Sequence, residues 1–559
     1  MLSVRRGAPA RQMLGWALAC ALAGGFIALF FAWPVATLLG RGLVADGALD
    51  LTRAGEVLAD DRTWQVVGET LKQALIGTAV SVALGIPGAY VTSRLRFRGR
   101  GLLRAWIIIP FVLPTVVVGG AFRSLLGDGG ALGFLGWDQT LMAVVLALVF
   151  FNYPVVVRTV GALWERLDPR QVAAARTLGA SPVRAFFTIT LPQLAPAIAS
   201  AAGIVFLFCS TAFGIVMVLG GRKHANLEAE IFRQTSQLLN LDVAAVLCIV
   251  QLVMISAVLF AVSRLRRRGD AAAGAHAARE GMRPIGRRDL PVVALTGAVI
   301  LGLQGLPLVS LLVRSFQTTE GWGLRNYALL STTGTRNVLT VTVWQALGAS
   351  LRVAVIATLI ALAVAVTIVA ILSRRPRSRA LRRAQAAFDA FVMLPLGVSA
   401  VTIGFGLLIT MHNPLGLPID LRTSGGLIAI AQALVAIPLV VRIVLPVVRS
   451  IDPRQREAAA TLGATPGRIL RTVDWPVAAR SIGLGAGFAM AASLGEFGAS
   501  AFLVRPDTVT LPVVIYQLLG RAGADNYGMA MAAAVVLGAA TTAVMMIAER
   551  FRSAQAVDF

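Results

Sequence analysis

Lysine, histidine and cysteine are nearly absent from this chain of 559 residues. Neither of its two lysines, Lys72 and Lys223, follows a glycine, so the Gly-Lys-Ser/Thr sequence of a phosphate-binding loop is missing. The three histidines are scattered over predicted loops without the spacing of metal ligands: His224, His276 and His412. The three cysteines all lie in apolar segments: Cys20, Cys209 and Cys248. The sequence therefore predicts no ATP hydrolysis by this chain, no metal site and no disulfide framework.

Charge is also scarce, since only 14% of the residues are charged while 57% are hydrophobic and the mean hydropathy is +0.77. A soluble domain of this length needs more charge to cover its surface. The run from Leu14 to Leu39 holds no charged residue and exceeds the roughly 20 residues that cross a bilayer core. This run is also too long for the apolar part of a signal peptide, which favours an uncleaved first helix. The composition indicates a polytopic membrane protein.

The net charge of +24 comes from arginines that cluster between the apolar segments. The clusters are Arg5, Arg6 and Arg11; Arg94, Arg96, Arg98, Arg100 and Arg104; Arg264, Arg266, Arg267 and Arg268; Arg374, Arg375, Arg377, Arg379, Arg382 and Arg383. One orientation places all of them, with Arg550 and Arg552, on the cytoplasmic side, as the positive-inside rule requires. The pattern predicts a plasma or inner membrane protein with both termini in the cytoplasm, and it argues against nucleic acid as a partner.

Twelve apolar segments form two sets of six. The first set lies near 14–39, 70–92, 103–125, 140–163, 193–219 and 241–263, and the second near 290–313, 347–372, 387–410, 426–447, 478–503 and 526–548. The two sets are a sequence repeat, in which Trp64-Gln65 recurs as Trp344-Gln345, Leu113-Pro114 as Leu394-Pro395, and Asp168-Pro169-Arg170-Gln171 as Asp452-Pro453-Arg454-Gln455. Offsets that stay between 280 and 284 residues indicate duplication.

The predicted fold is an all-α membrane protein of about 12 transmembrane helices in two six-helix halves. Six crossings return the chain to its starting side, so the halves are parallel repeats about an axis along the membrane normal, where transporters place their substrate route. The predicted domains are a first half at 1–265, a cytoplasmic linker at 266–289 and a second half at 290–559.

The most informative segments lie between the fourth and fifth helices of each half, at 168–192 and 452–476. Each begins with an alanine-rich stretch, continues through Thr-Leu-Gly-Ala, and has a proline 13 residues after the glycine. This pattern predicts a short helix, a turn at the glycine, a second amphipathic segment and then the start of the next crossing. Two short helices at an angle can fit a groove on a partner protein.

The spacing Glu-Ala-Ala-x-x-x-Gly, followed by a Leu-Pro-like pair, resembles the coupling loop of ATP-binding-cassette importer permeases with the type I fold. The resemblance covers both halves and implies contact with a cytoplasmic ATPase, a homodimer, through Ala173, Ala174, Gly179 and Pro192 in the first loop and Glu457, Ala458, Ala459, Gly463 and Pro476 in the second. It further implies an extracytoplasmic binding protein that docks on outward loops near 41–68, 221–240, 314–345 and 504–525. The first loop departs from the family by Ala173 in place of glutamate, and the second by Trp475 before Pro476. The two ATPase contacts are therefore expected to be unequal.

Three stretches are most similar to permeases for thiamine and its phosphates. They are Leu219-Gly220-Gly221 with Leu227-Glu228-Ala229-Glu230-Ile231-Phe232; Ser493-Leu494-Gly495-Glu496-Phe497-Gly498; and Thr510-Leu511-Pro512-Val513-Val514-Ile515-Tyr516-Gln517. Permeases for ferric iron and molybdate share parts of them, so ferric iron, or another small solute or anion, is the alternative cargo. The resemblance implies no cofactor in this chain.

Glu496 is the clear carboxylate within a predicted crossing, where its charge is costly unless it is paired or hydrated. It either lines or gates the substrate route, or it makes a structural hydrogen bond to a neighbouring helix; its counterpart in the first half is Ala212. Two other classes of protein require more ionisable or catalytic side chains than this. An ion-coupled secondary transporter needs several such groups, and a membrane enzyme needs clustered catalytic side chains, neither of which the sequence offers.

Overall fold

The computed structural model describes residues 10–45, 48–49, 51–270, 282–373, 378–506 and 508–551. Several features named above lie outside these ranges: Arg5, Arg6, Arg374, Arg375, Arg377, Arg552, His276 and the linker stretch 271–281. The described residues form two compact units. Unit 1 takes its residues from Met1–Arg41, Trp344–Val513 and Ala539–Val557, and unit 2 from Gly42–Val343, Val514–Gly538 and Asp558–Phe559. These units are defined by contacts between residues in the structure. The domains 1–265 and 290–559 are defined by the sequence repeat and stay a prediction.

The chain up to the linker is almost entirely helical. Its helices are α1 Ala10–Ile27, α2 Trp33–Leu43, α3 Thr52–Ala59, α4 Asp61–Arg94, α5 Arg100–Val112, α6 Thr115–Leu126, α7 Leu141–Trp164, α8 Pro169–Thr177, α9 Pro182–Ala185, α10 Leu191–Ser210, α11 Phe213–Leu219, α12 Leu227–Ser236 and α13 Leu241–Asp270. Three two-residue strands accompany them: β1 Val44–Ala45, β2 Ala48–Leu49 and β3 Leu95–Arg96.

The chain after the linker has the same character. Its strands are β4 Arg283–Pro284, β5 Gln317–Thr318 and β6 Gly321–Trp322, and its helices are α14 Leu290–Ala298, α15 Leu306–Phe316, α16 Arg325–Ala328, α17 Val343–Leu372, α18 Arg379–Met393, α19 Ala400–Thr410, α20 Gly426–Arg449, α21 Pro453–Thr461, α22 Pro466–Ile469, α23 Trp475–Gly495, α24 Gly498–Leu503, α25 Leu511–Leu519 and α26 Ala524–Glu549. β1 pairs with β2 and β5 with β6 in antiparallel fashion, while β3 and β4 are parallel. Single π-helical turns at Phe186–Thr190 and Leu470–Asp474 lead into α10 and α23.

Within the described ranges, ten helical segments are long and apolar enough to cross a membrane. They are Leu18–Leu43, Asp61–Arg94, Leu141–Trp164, Pro182–Ser210, Leu241–Val258, Arg287–Phe316, Val343–Leu372, Gly426–Arg449, Gly467–Gly495 and Ala524–Glu549. Two bent helix pairs raise the number to twelve if each pair counts as one span. The predicted all-α fold of about twelve spans is confirmed.

The third and ninth predicted crossings are not straight helices. Arg100–Val112 and Thr115–Leu126 meet at 102°, and Arg379–Gly397 and Ala400–Gly416 meet at 98°. In the first pair Leu113 is extended ahead of Pro114, because proline disfavours a helical conformation in the residue before it. In the second pair the break falls at Val398 and Ser399, and the Ser399 hydroxyl accepts a hydrogen bond from the Thr402 amide at 3.0 Å. This hydrogen bond provides a partner for one of the first backbone amides of the new helix, which have none within the helix.

Each unit has its own packed centre. In unit 2, α4, α7 and α10 pack against one another, and α14 also packs on α4. In unit 1, α20 packs on α23, and α19 packs on α24. Small or β-branched side chains such as Ala74 in unit 2 and Val440 and Ala489 in unit 1 are fully buried at these centres. Close packing of this kind holds membrane helices together where lipid removes the hydrophobic driving force between them.

A pair of equivalent hydrogen bonds shows the repeat in three dimensions. In unit 2 the amide of Leu227, the first residue of α12, donates to the Thr70 hydroxyl at 2.9 Å. In unit 1 the amide of Leu511, the first residue of α25, donates to the Ser350 hydroxyl at 2.7 Å. In both copies, a hydroxyl at the equivalent position thus accepts a hydrogen bond from the first backbone amide of the equivalent short helix.

Candidate functional site

The first predicted coupling loop folds as a helix, a turn and a second helix. The Asp168 carboxylate accepts from the Arg170 amide at 2.9 Å and begins α8, which ends at Thr177. Gly179 has φ of +89°, a left-handed conformation that side chains disfavour. The Ser181 hydroxyl then accepts from the Arg184 amide at 3.2 Å and begins α9. The chain passes through the π-helical turn into α10, with Pro192 in its first turn.

The second loop repeats this geometry. Asp452 accepts from the Arg454 amide at 2.9 Å at the start of α21, and Gly463 has φ of +80°. Thr465 accepts from the Arg468 amide at 3.4 Å, and Pro476 lies in the first turn of α23. The predicted helix–turn–helix is present in both halves. The alanines and the glutamate fall where they were predicted: Ala173 and Ala174 on α8, and Glu457, Ala458 and Ala459 on α21. Their contact with an ATPase stays a prediction.

Both loops present an apolar side chain to their surroundings. Leu178 and Leu462 occupy equivalent positions just before the glycine, and each is 88% exposed. Ala173 and the Glu457 side chain are also exposed, and α8 contains no buried residue. A large apolar side chain exposed twice at the same position, beside a turn with fixed geometry, has the character of a contact surface for another protein.

The two loops are attached to the membrane helices by different contacts, which were not among the predictions from the sequence. In the second half Arg456 donates from Nε to the Asp474 carboxylate at 2.7 Å and from Nη2 to the Val448 carbonyl at 3.3 Å. In the first half the corresponding positions are Val172, Thr190 and Trp164. A residue-by-residue comparison of the two copies would have shown this difference, because Arg456 and Asp474 are both charged where the first copy is uncharged.

The first loop is held by an amide pair and by aromatic stacking. The Gln193 side chain on α10 donates to the Gln171 side-chain oxygen on α8. Trp164, at the end of α7, stacks on Phe186 with ring centroids 6.1 Å apart and an interplanar angle of 30°.

Glu496 lies in the break between α23 and α24 and is largely buried. Its Oε1 accepts from the Ala499 amide at 2.8 Å, and its Oε2 accepts from the Ser500 amide at 3.1 Å and the Ser500 hydroxyl at 2.8 Å. The carboxylate therefore caps α24, the short helix that begins two residues further along the chain, after α23 has ended. Its described hydrogen bonds run to backbone and side chain of its own segment, rather than to another helix as the structural hypothesis had it.

Further polar side chains tie this break to α20. Gln432 donates to the Ser500 hydroxyl at 3.1 Å and accepts from the Ser493 hydroxyl. None of these polar residues is kept in the first half. Gln432, Ser493, Glu496 and Ser500 correspond there to Leu148, Cys209, Ala212 and Val216. The break before α11 is held instead by Asn226, whose side-chain amide donates to the Ala212 carbonyl at 3.1 Å. The asymmetry expected at Glu496 and Ala212 thus extends to a group of residues.

The predicted outward loops contribute to two pockets in unit 2. One, of about 410 Å³, is lined by residues that include Arg62, Trp64, Gln65, Lys72 and Lys223. The other, of about 360 Å³, is lined by residues that include Arg314, Trp322 and Tyr527. Both pockets mix cationic and aromatic side chains. The docking of a binding protein on these loops stays a prediction.

Glu230 is a buried carboxylate that contacts Arg62, one of the residues lining the first of these pockets. It accepts from Arg233 Nη2 at 2.6 Å and Gln234 Nε2 at 2.9 Å, and Arg62 approaches it to 3.3 Å. Burial alone would raise the pKa of the Glu230 carboxyl, but the hydrogen bonds from Arg233 and Gln234 and the charges of Arg233 and Arg62 outweigh it, so its pKa lies below the ordinary value. In the sequence, Glu230 stands out only as part of the stretch from Leu227 to Phe232 that resembles thiamine permeases.

Two of the three histidines, His224 and His412, each lie within hydrogen-bond distance of a carboxylate. His224 Nδ1 lies 3.1 Å from Glu69 Oε2, and His412 Nδ1 lies 3.0 Å from Asp420 Oδ2. Among the residues that the structure describes, no three His, Cys, Asp or Glu side chains are grouped so that they could hold a metal ion.

Known proteins similar to this chain are transport permeases. A family model described as binding-protein-dependent transport system inner membrane component matches residues 81–269 and 370–555, and each match contains one of the two loops. The thiamine transport system permease protein ThiP of Brucella abortus (strain 2308) is 29% identical over 548 residues, which cover 95% of this chain and 95% of that protein. ThiP of Escherichia coli (strain K12) is 28% identical over 477 residues, covering 83% of this chain and 85% of that protein.

Among solved structures, that of a bacterial ABC transporter involved in the import of the acidic polysaccharide alginate matches with a TM-score of 0.41 and 16% identity, over 46% of this chain and 96% of that chain. The family model covers more than half of the present chain, once in each half. The chain therefore belongs to the inner membrane components of binding-protein-dependent transport systems, and it is a multi-pass permease of an importer.

Proposed function

We propose that this chain forms the route for thiamine or its phosphates through the inner membrane, and that a separate cytoplasmic ATP-binding-cassette ATPase drives it. The carrying observation is the coupling loop, which appears twice with the same capped helix, left-handed glycine and exposed leucine. Two copies of one docking element suit a partner that also has two equivalent sites, such as an ATPase homodimer.

The proposed orientation places both loops and both chain termini in the cytoplasm. The arginine cluster at 94–104 lies at the same end of unit 2 as the first loop, because Arg94 donates to the Leu167 carbonyl at 2.8 Å and Arg100 reaches Glu165 at 3.0 Å. Leu167 immediately precedes Asp168, the residue that begins the loop. Since arginine-rich loops stay on the cytoplasmic side, this contact supports a cytoplasmic coupling loop.

The energy for transport is proposed to come from the ATPase subunit, so this chain is a transport subunit and not an enzyme. Its sequence has no Gly-Lys-Ser/Thr loop to hold a nucleotide phosphate. Closure of the ATPase would move the two loops, and each loop continues through a π-helical turn into the fifth helix of its half. Movement of a loop would thereby reach the break before α11 or α24.

The choice of thiamine rests on similarity along nearly the whole chain to permeases named for thiamine transport. The relatives are similar in both halves, so the similarity is not limited to the shared coupling loop. Ferric iron is the alternative cargo, because permeases for that ion resemble parts of the same stretches.

Reconstitution tests this proposal. The permease, its ATPase and its binding protein would be placed in proteoliposomes, and uptake of labelled thiamine would be compared with uptake of labelled ferric iron. We expect thiamine uptake that requires both ATP and the binding protein. Uptake that persists without ATP and collapses with the proton gradient would refute the ATP-driven mechanism, and ATP-dependent uptake of iron alone would refute the cargo.

A further inference from the structure

The second coupling loop is connected to the membrane helices by an ion pair at two positions that are uncharged in the first half. On the second loop, Arg456 joins three elements: its own helix α21, the Val448 carbonyl near the end of α20, and Asp474 at the base of α23. The Asp474 side chain is 9% exposed and that of Arg456 is 23% exposed. A charged hydrogen bond in so little water is strong and is expensive to leave half made.

We propose that Arg456 and Asp474 are positioning residues that make the second coupling loop move together with the fourth and fifth membrane helices of its half. This inference rests on the proposed function, because it assumes that an ATPase moves the loop. α21 is otherwise a short, mainly exposed helix, so few contacts can transmit its displacement. Arg456 provides two of them with one side chain, and its planar guanidinium fixes the direction as well as the distance of both partners.

The first half connects the same elements in another way. Trp164 on Phe186 links the end of α7 to the base of α10 by stacking, and α8 itself is joined to α10 through the Gln171 and Gln193 side chains. No charge is involved in these contacts. The positions of Arg456 and Asp474 therefore carry a directional ion pair in the second half, and the uncharged residues Val172 and Thr190 in the first.

The test uses the complete transporter in proteoliposomes and measures substrate taken up per ATP hydrolysed. Asp474→Asn removes the ion pair with little change in shape. We expect the ratio to fall by about fivefold or more, the lower end of common couplings between sites, while ATP hydrolysis continues. Arg456→Lys keeps a charge opposite Asp474 but loses the planar guanidinium, so its ratio should lie between those of Asp474→Asn and the unaltered protein. Asp389→Asn on α18, a carboxylate of the same unit outside the loop, is the matched control and should not change the ratio.

A second variant keeps the test decisive if Asp474→Asn fails to assemble. Arg456→Val with Asp474→Thr introduces the residues of the first half and leaves no unpaired charge. It should assemble and still show the lowered ratio. A wild-type ratio in this double variant, or in Asp474→Asn, would overturn the inference, as would loss of assembly in Asp474→Asn with normal ratios in the other variants. Absence of ATP-driven uptake in the unaltered transporter would instead refute the proposed function.

Discussion

At the scale of single residues, the contacts of Glu496 are those of a helix cap, and this role competes with the hypothesis that Glu496 lines or gates the substrate route. The carboxylate accepts three hydrogen bonds at the start of α24, and those contacts explain how a buried acid is tolerated between two helices. A group that gates a substrate route has to change partners during transport, whereas a cap has to keep them. Substitution separates the two roles.

We expect Glu496→Ala to lower the free energy of unfolding by about 1 kcal/mol, because it removes the cap of α24. Glu496→Gln keeps one acceptor oxygen and should retain both assembly and uptake. Thermal unfolding in detergent and uptake in proteoliposomes measure the two effects. A Gln variant that assembles normally but takes up no substrate would assign a function in transport to the charge.

Glu230 gives the clearest prediction of pH dependence. Its pKa is depressed in the folded protein, so its contribution to stability is complete above the ordinary glutamate pKa of about 4.3 and is lost as the pH falls through the lower folded value. We expect Glu230→Gln to destabilise the protein by about 1–3 kcal/mol at pH 7, since it weakens hydrogen bonds between charged groups. The difference from the unaltered protein should stay constant down to pH 5 and shrink below pH of about 4.

The measurement is thermal unfolding at several pH values, with tryptophan fluorescence as the signal of unfolding. Glu56→Gln on α3 is the control, because Glu56 is exposed and its loss should have little effect at any pH. A stability difference for Glu230→Gln that grows on acidification would contradict the proposed sign.

At the scale of elements, the glycine turn sets the angle between the two short helices of each loop. Gly463 has φ of +80°, where alanine is strained, whereas Gly467 four residues later has open space around it and no positive φ. We expect Gly463→Ala to cost about 1 kcal/mol in this turn and to weaken retention of the ATPase during purification. Gly467→Ala, in the same loop, should retain more ATPase; equal losses in the two variants would mean that the turn angle is not what the partner recognises.

Much of the element order could be predicted from the sequence, because lipid requires long apolar helices with satisfied backbones. The coupling loops were predictable for a different reason, since Asp-Pro, the alanine run and the glycine specify a capped helix and its end locally. The bends in the third and ninth crossings were both missed, because the apolar segments 103–125 and 387–410 continue across the breaks. The cap made by Glu496 was missed as well, since it depends on where the chain leaves α23.

At the scale of the whole molecule, the sequence repeat does not determine which helices pack together. Residues of Met1–Arg41 belong to unit 1 with Trp344–Val513, while Arg287–Phe316 falls within unit 2. Such grouping depends on contacts between segments far apart in the chain, which hydropathy and repeat offsets do not encode. The chemical differences between the copies, in contrast, are visible in the sequence once the copies are aligned: Glu496, Arg456 and Asp474 in the second, and Ala212, Val172 and Thr190 in the first.

These differences lead to a prediction about the two halves together. The second loop carries Glu457 and the first carries Ala173 at the equivalent position, both exposed. If the glutamate pairs with the ATPase, Glu457→Ala should weaken ATPase association and uptake by about tenfold or more, since truncating one member of a charged interface pair costs 2 kcal/mol or above. Ala173→Glu alone should change both quantities much less.

The decisive variant combines the two changes and so moves the glutamate from the second loop to the first. We expect it to remain defective, because the first half has Val172 and Thr190 at the positions where Arg456 and Asp474 form an ion pair. ATPase retained per permease and uptake per ATP hydrolysed are the two measurements. Recovery of both to the level of the unaltered protein would show that the two loops are interchangeable and that the halves share the work equally.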